Sequence, residues 1–173
     1  MSEVDLTPIT EFRQEYRFLS NFWPCQVQYS PHWYPSVEHA YQAAKCADYS
    51  DAVGIRNAAS AGLAKRMGKE VELQSRARPD WQQIKMQVMA DLLWQKFVLN
   101  DELRARLVAT GDRPLIEGNT HGDTFWGQSR GAGHNHLGNL LMHLRAVGRY
   151  LEEYSEHQKL HVDGSSKPDS ESY

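Results

Sequence analysis

One stretch of the chain places an acid, an amide and an amine at helical spacing. The residues PSVEHAYQAAKCA, 35–47, contain Glu38, Gln42 and Lys45. Because residues three and four positions apart share a helix face, these three lie in one stripe. The helix dipole favours the ionised form of an acid in the first turn. The stripe is either a solvated face or the wall of a pocket in which a carboxylate does chemistry, and the pattern alone leaves both open.

A second stretch, DTFWGQSRGAGHNHLG (123–138), combines a carboxylate, two adjacent aromatics, four glycines, an arginine and two histidines. The glycines could simply supply turns. Alternatively, zinc ligands are present, namely His121, Asp123, His134 and His136. A third interpretation is an anion cradle formed by the turn and the start of the next helix, assisted by Arg130. In that case Trp126 would stack on a base and Asp123 would face a sugar.

The surrounding elements predict an α+β fold, a helix-dominated single domain with a few short strands. Capping residues followed by apolar periodicity predict helices that start after Ser36, Ser60, Asp80, Asn100 and Asn135. The second helix is expected to end at Gly68. Short strands are expected at 26–29 and 114–117, and 18–22 is expected to form a loop or a small β element. Without strand–helix–strand alternation, a parallel sheet is not expected.

Composition limits the class of protein further. The chain has 173 residues, a net charge of −3 and two cysteines. It lacks a secretory leader pattern and a long apolar stretch, so a soluble cytoplasmic protein without membrane contact is expected. The charge gives no global attraction to nucleic acid, although a local contact is allowed. The polar end predicts a disordered tail over 158–173, behind a domain over 1–157.

Five motifs in a fixed order resemble the NADAR family, also called YbiA-like. They are FLSNFWP, PSVEHAYQAAK, LAKRMG, RPDW and DTFWGQSRGAGHNHLGNLLMHLR, and they cover roughly residues 10–150. The family is associated with hydrolysis of N-glycosidic bonds. Its activities include cleavage of early riboflavin-pathway intermediates and removal of ADP-ribose from guanine in nucleic acid. The resemblance implies a helix-rich N-glycosidase that acts on a small ribosylated nucleotide or on ADP-ribosylated nucleic acid. It implies no cofactor, metal or obligate protein partner.

Matched position by position, the resemblance implies two catalytic acids, Glu38 and Asp123. The positions that it implies for substrate binding are Asn21, Lys45, Trp81, Trp126, Gly127 and Asn135. Breaking a ribose–nitrogen bond builds positive charge on the sugar and negative charge on the base, so a carboxylate and a proton donor are needed. Glu38 would activate water or stabilise the sugar cation, and Asp123 would bind ribose hydroxyls or share the acid–base task. The alternative is a non-catalytic module that binds ADP-ribose or NAD derivatives.

Overall fold

The computed structural model of the protein describes residues 5–163, with side chains up to residue 159. A 3₁₀ helix (Gln14–Leu19) opens the fold. The elements that follow are β1 (Val27–Tyr29), β2 (His32–Tyr34), α1 (Val37–Ala44), α2 (Tyr49–Arg56), α3 (Ala61–Leu73), α4 (Trp81–Phe97), α5 (Asp101–Val108), β3 (Gly118–Asn119), β4 (Gln128–Ser129) and α6 (His136–Asp163). This helix-rich arrangement with a few short strands confirms the predicted α+β class.

Helix α1 is enclosed by other elements. The Ser36 hydroxyl accepts the His39 backbone N–H at 3.3 Å, so the predicted cap is confirmed. The helix contacts α2, α3, α4 and β1, and every residue from Val37 to Ala44 is buried. The stripe that contains Glu38 and Gln42 is therefore inside the protein and is not a solvated face.

Helix α4 lies at the centre of the apolar core, in contact with α1, α5, α6 and β1. Leu92, Leu93 and Phe97 are at most 1% exposed, and fully burying such a side chain stabilises a fold by roughly 1.5–3 kcal/mol. The helix starts after Asp80 as predicted. The Asp80 carboxylate, however, pairs with Arg78 at 2.6 Å and makes no capping hydrogen bond.

The predicted strand over 26–29 is confirmed as β1, which pairs antiparallel with β2. Val27 lies opposite Tyr34 in this hairpin, and Tyr29 lies opposite His32. Val27 and Tyr34 are buried, so the hairpin covers the core through one face.

The expected small β element over 18–22 does not form. Phe18 and Leu19 end the 3₁₀ helix and are both buried, whereas a strand would send consecutive side chains to opposite faces. The loop alternative holds from Ser20 onward, where the Trp23 N–H donates to the Ser20 carbonyl at 3.0 Å. This turn brings Ser20 and Asn21 towards α1.

The predicted end of the second helix at Gly68 is wrong, because α3 continues to Leu73. Its start is confirmed by the Ser60 hydroxyl, which accepts the Leu63 N–H at 3.2 Å. Gly68 lies inside the helix, where a Cβ would collide with the Gln42 side chain. Here glycine allows α3 to approach α1 closely and does not end the helix.

The predicted strand over 114–117 forms only in part. This segment pairs with Ile9 through two hydrogen bonds, both of 2.8 Å. The Ile9 N–H donates to the Pro114 carbonyl, and the Ile116 N–H donates to the Ile9 carbonyl. The regular pairing starts at Gly118, where β3 runs parallel to β4. This two-residue pair departs from the expectation that no parallel sheet forms. Pro114 has no N–H, and the Asn135 side chain bonds to Leu115 and Glu117, so this segment lacks a continuous ladder.

The last helix, α6, continues to Asp163. The division into a domain over 1–157 and a tail over 158–173 stays a prediction, since 158–163 are helical and 164–173 lie outside the described residues. Within residues 5–163, no helix combines the length and the apolar character that crossing a membrane requires.

Candidate active site

Four residues predicted from the sequence line one cavity of about 180 Å³: Asn21, Glu38, Asp123 and Trp126. The cavity lies between α1, the turn after the 3₁₀ helix and the segment from Glu117 to Trp126. Two acids that are far apart along the chain therefore face one space, as a shared chemical role requires.

Glu38 is a buried carboxyl with one hydrogen-bond donor. Its side chain is in the first turn of α1, and the residue is 6% exposed. The Gln42 amide donates to Glu38 Oε1 at 2.8 Å. Burial raises the pKa of Glu38 above its ordinary value, and the Gln42 hydrogen bond with the charges of Lys65 and Lys45 opposes that rise. A raised pKa on an acid that faces a cavity is typical of acid–base catalysts.

Two residues that line the cavity each have an amide oxygen that is buried without a partner. These oxygens are Asn21 Oδ1 and Gln42 Oε1, and neither accepts a hydrogen bond from any residue that the structure describes. A buried acceptor without a donor costs about 1–3 kcal/mol. Gln42 Oε1 faces Gly68 of α3, where a Cβ would collide with it, so this oxygen packs between the two helices.

One carboxylate oxygen of Asp123 stabilises the turn in which this residue lies. Asp123 Oδ1 accepts the backbone N–H groups of Phe125 at 3.1 Å and Trp126 at 2.9 Å. The Asn119 side chain accepts the Asp123 N–H at 3.0 Å and donates to its carbonyl at 2.7 Å. The carboxylate is therefore fixed in place, and its second oxygen is the one available to a ligand.

Tyr41 lies between the two tryptophans named by the sequence. Its ring is 4.9 Å from that of Trp81 and 5.6 Å from that of Trp126. The Trp126 indole N–H donates to the Tyr41 hydroxyl at 3.1 Å. Trp81 is 3% exposed and lies outside the cavity lining. The tryptophans do not enclose an open slot: Tyr41 and Trp126 form the aromatic wall, and Trp81 packs behind it.

A third acid, Glu117, lines the cavity and was not selected from the sequence. Burial raises the pKa of Glu117 to about 7; Lys65 lowers it, and the charges of Asp123 and Glu38 raise it. The only available signal was an acid at the end of a short buried segment, PLIE. Lys65 and Asn119 also line the cavity. Neither was selected, although Lys65 lies in the LAKRMG motif.

Two residues predicted to bind substrate instead hold the backbone that leads to Glu117. The Asn135 amide donates to the Leu115 carbonyl at 2.9 Å and accepts the Glu117 N–H at 3.0 Å. A Cβ on Gly127 would collide with the Glu117 carbonyl. Both residues lie outside the cavity lining, so their contact with substrate stays a prediction.

We expect Asn135→Ala to lower the free energy of unfolding by about 2–4 kcal/mol, because it leaves two buried backbone groups without partners. The left-handed backbone at this residue, with φ of 52°, adds to the cost for alanine. Urea unfolding measures the change. Asn139→Ala is the matched control, since its exposed amide bonds only to the His134 carbonyl. An Asn135→Ala protein with wild-type stability but weakened substrate binding would instead support the ligand contact.

Lys45 is buried at the end of α1 and is not among the residues that line the cavity. It is 5% exposed, and its amine pairs with Glu72 at 3.1 Å. The amine also lies 5.9 Å from the centre of the Trp81 ring. Its predicted role in substrate binding is untested, and its observed contacts join α1 to α3.

The histidines of the zinc hypothesis do not come together. His121 lines the cavity, whereas His134 and His136 stack on each other with ring centres 5.4 Å apart. Within residues 5–163, no group of three or more His, Cys, Asp or Glu side chains could hold a metal ion. The turn proposed as an anion cradle is closed on itself by hydrogen bonds between Ser129 and Ala132.

Comparison with known proteins identifies the family. A family model described as the NADAR domain matches residues 9–147. N-glycosidase YbiA of Escherichia coli (strain K12) is 40% identical over 137 residues, 76% of this chain and 81% of that protein. N-glycosidase Npun_R5314 of Nostoc punctiforme is 37% identical over 142 residues, 80% of this chain and 89% of that protein.

Two further matches agree with these. The riboflavin biosynthesis protein VVA0006 of Vibrio vulnificus is 39% identical over 145 residues, which are 83% of this chain but 37% of that longer protein. The NMR structure of the E. coli protein YbiA superposes with a TM-score of 0.71 and 31% identity, over 98% of this chain and 94% of that one. The chain belongs to the NADAR domain family.

Proposed function

We propose that this protein hydrolyses the bond between a ribosyl group and a base-like leaving group, with Glu38 as the central catalytic carboxylate. The protein is a hydrolase that acts on N-glycosyl bonds, since two relatives named N-glycosidase are 40% and 37% identical to it. Each match covers most of this chain and most of the relative. The observation that supports the role of Glu38 is its position: a buried acid, held by Gln42, in the wall of a cavity that contains two more carboxyls.

The cavity is suited to a sugar. Its volume of about 180 Å³ is below the roughly 300–1,000 Å³ of pockets for drug-sized ligands. A ribose fills such a space and leaves the rest of a nucleotide outside it. The second oxygen of Asp123, which accepts neither of the two backbone N–H groups of its turn, would accept a hydrogen bond from a ribose hydroxyl.

The aromatic wall would hold the base beside the sugar. Trp126 and Tyr41 are at right angles, with an interplanar angle of 88°, so one ring can lie flat against a ligand while the other supports its edge. The Tyr41 oxygen accepts from Trp126, which leaves its own proton for donation to a substrate atom. Burial raises the pKa of Tyr41, so this hydroxyl stays protonated.

The substrate that we propose is a small ribosylated nucleotide, such as an early intermediate of riboflavin synthesis, or ADP-ribosylated guanine in nucleic acid. The riboflavin biosynthesis protein VVA0006 is similar over 83% of this chain, and its name supports the first of these two substrates. We place the activity in the cytoplasm, a reducing compartment that suits the two free cysteines, Cys25 and Cys46.

The test is release of free base. The protein is incubated with ribosylated pyrimidine intermediates and with DNA and RNA that contain ADP-ribosylated guanine, and mass spectrometry detects the base and the ribosyl product. We expect release from at least one of these classes. If no substrate is cleaved while ADP-ribose or NAD derivatives bind equally well to the wild type and to Glu38→Gln, the protein is a binding module.

A further inference from the structure

The backbone just before Glu117 is held by side-chain hydrogen bonds and by close packing of glycines. Asn135 bonds to Leu115 and to the N–H of Glu117 itself. The carbonyl of Glu117 accepts the Gln128 N–H at 2.8 Å. Gly127 and Gly138 leave no room for a side chain beside the carbonyls of Glu117 and Leu115. The conspicuous glycine-rich stretch of the sequence thus positions one cavity residue, Glu117.

The three acids of the cavity differ in what their oxygens already bind. Glu38 accepts from Gln42, and Asp123 accepts from two backbone N–H groups. The hydrogen bond donated by Gln42 favours the ionised form of Glu38. The Glu117 carboxyl accepts no hydrogen bond from any other residue in the range 5–163, and its surroundings act on it by burial and by charge at a distance. No donated hydrogen bond therefore holds the Glu117 carboxyl in its ionised form.

We propose that Glu117 is the general acid of the reaction and donates a proton to the departing base. This assignment rests on the proposed function and extends it, because neither Glu38 nor Asp123 then has to perform both halves of the chemistry. Asp123 becomes the residue that positions the ribose, and Glu38 becomes the acid that faces the sugar and the attacking water.

The step balances as a hydrolysis. The ribose–nitrogen bond breaks and its electron pair goes to the base nitrogen, which takes the proton of Glu117. The water oxygen bonds to the anomeric carbon, and the water proton passes to the Glu38 carboxylate. Transfer of that proton to Glu117 through solvent restores the starting state. Two acids with different environments and one proton between them are the usual arrangement for such a reaction.

The charges around Glu117 support a proton on it near neutral pH. The groups that face it come from four parts of the chain: Glu38 on α1, Lys65 on α3, Asp123 on the segment before β4, and Arg13 before the 3₁₀ helix. Burial is the largest influence and raises the pKa of Glu117 to about 7. Because the acids interact, the apparent values measured by kinetics belong to the group and not to one residue.

The test uses Glu117→Gln, which keeps the shape of the side chain and removes its proton. With the substrate that wild type cleaves fastest, we expect kcat to fall about 10²–10³-fold with KM little changed. The wild-type kcat/KM should decline above about pH 7, and this alkaline decline should be absent in Glu117→Gln. A residue with a structural role alone would lower activity without removing that limb of the profile.

Glu102→Gln is the matched control, an exposed acid on α5 outside the cavity lining, and it should behave as wild type. Glu117→Asp keeps a carboxylic acid at this position, so this variant should have a lower kcat than wild type but retain the alkaline decline of kcat/KM. The aspartate variant also tests the assignment if Glu117→Gln fails to fold. If folded Glu117→Gln turns over substrate like wild type, or keeps the alkaline decline, the assignment of Glu117 as general acid is overturned. The proposed function still stands in that case, provided that wild type releases base. If wild type releases no base, the proposed function and the assignment of Glu117 both fail.

Discussion

Glu38→Gln is expected to lower kcat about 10³-fold, within the 10²–10⁴ range of a single acid–base group. Glutamine has the same shape and can still accept the hydrogen bond from Gln42, so the cavity should keep its form. Its uncharged amide can neither take a proton from water nor stabilise a sugar cation. We therefore expect the loss in kcat, measured by base release, and little change in affinity for a ribosyl product, measured by calorimetry.

The same variant should be more stable than wild type at neutral pH. Burial raises the pKa of Glu38 in the folded protein. At pH values between the pKa of Glu38 in the unfolded chain and its pKa in the folded protein, the folded protein therefore holds a proton that the unfolded chain has released. Stability conferred by this group is therefore complete below the unfolded pKa and is lost as pH rises through the folded one. Glutamine does not titrate, so the stability gain of the variant over wild type should grow as pH rises above about 4.5, the ordinary value for glutamate.

Glu102→Gln, in the exposed first turn of α5, is the control and should change neither activity nor the pH dependence of stability. Wild-type turnover in Glu38→Gln would falsify the role of this acid. A loss of activity together with a loss of stability would point instead to a collapsed cavity.

The sequence sufficed for the starts of α1, α3, α4, α5 and α6, for the first strand and for the convergence of Asn21, Glu38, Asp123 and Trp126 on one cavity. It did not predict the 3₁₀ helix or α2. Helix periodicity and capping are local, and Ser36, Ser60 and Asn100 all cap as predicted. The convergence followed from family motifs, since no local rule places residues 38 and 123 together.

What could not be predicted depends on contacts between distant segments. Gly68 has the sequence pattern of a helix end, but it is needed where the Gln42 side chain crosses α3. Asn135 and Gly127 have the pattern of ligand contacts, whereas the contacts seen are with the backbone of Leu115–Glu117. Glu117 itself gave almost no signal, because its importance comes from the segment that packs over it.

Lys96→Met is expected to stabilise the protein by about 3–4 kcal/mol at pH 6. Lys96, on α4, is 1% exposed, and burial lowers its pKa to about 7. A pKa lowered from 10.5 corresponds to a cost of about 5 kcal/mol wherever the folded protein must keep this amine charged. Its hydrogen bond to the Ser20 carbonyl, at 2.7 Å, is lost in the variant and offsets about 1 kcal/mol of the gain.

The sign of the pH dependence makes this prediction specific. Below about pH 7 the folded protein bears the whole cost of the charged amine, and between pH 7 and about 10.5 the unfolded chain binds a proton that the folded protein lacks. Wild-type stability due to Lys96 therefore rises with pH over that window. The gain of Lys96→Met over wild type should shrink in parallel and disappear near its upper end.

Urea unfolding at several pH values measures the difference, with the exposed Lys69→Met as a control that should show neither the gain nor its pH dependence. The Ser20 carbonyl retains the Trp23 N–H at 3.0 Å, so the turn should persist. However, Ser20 and Asn21 line the cavity, and we expect the loosened turn to raise KM. A variant that is less stable than wild type at pH 6 would mean that the amine is held by more than one carbonyl, and that burial does not dominate its energetics.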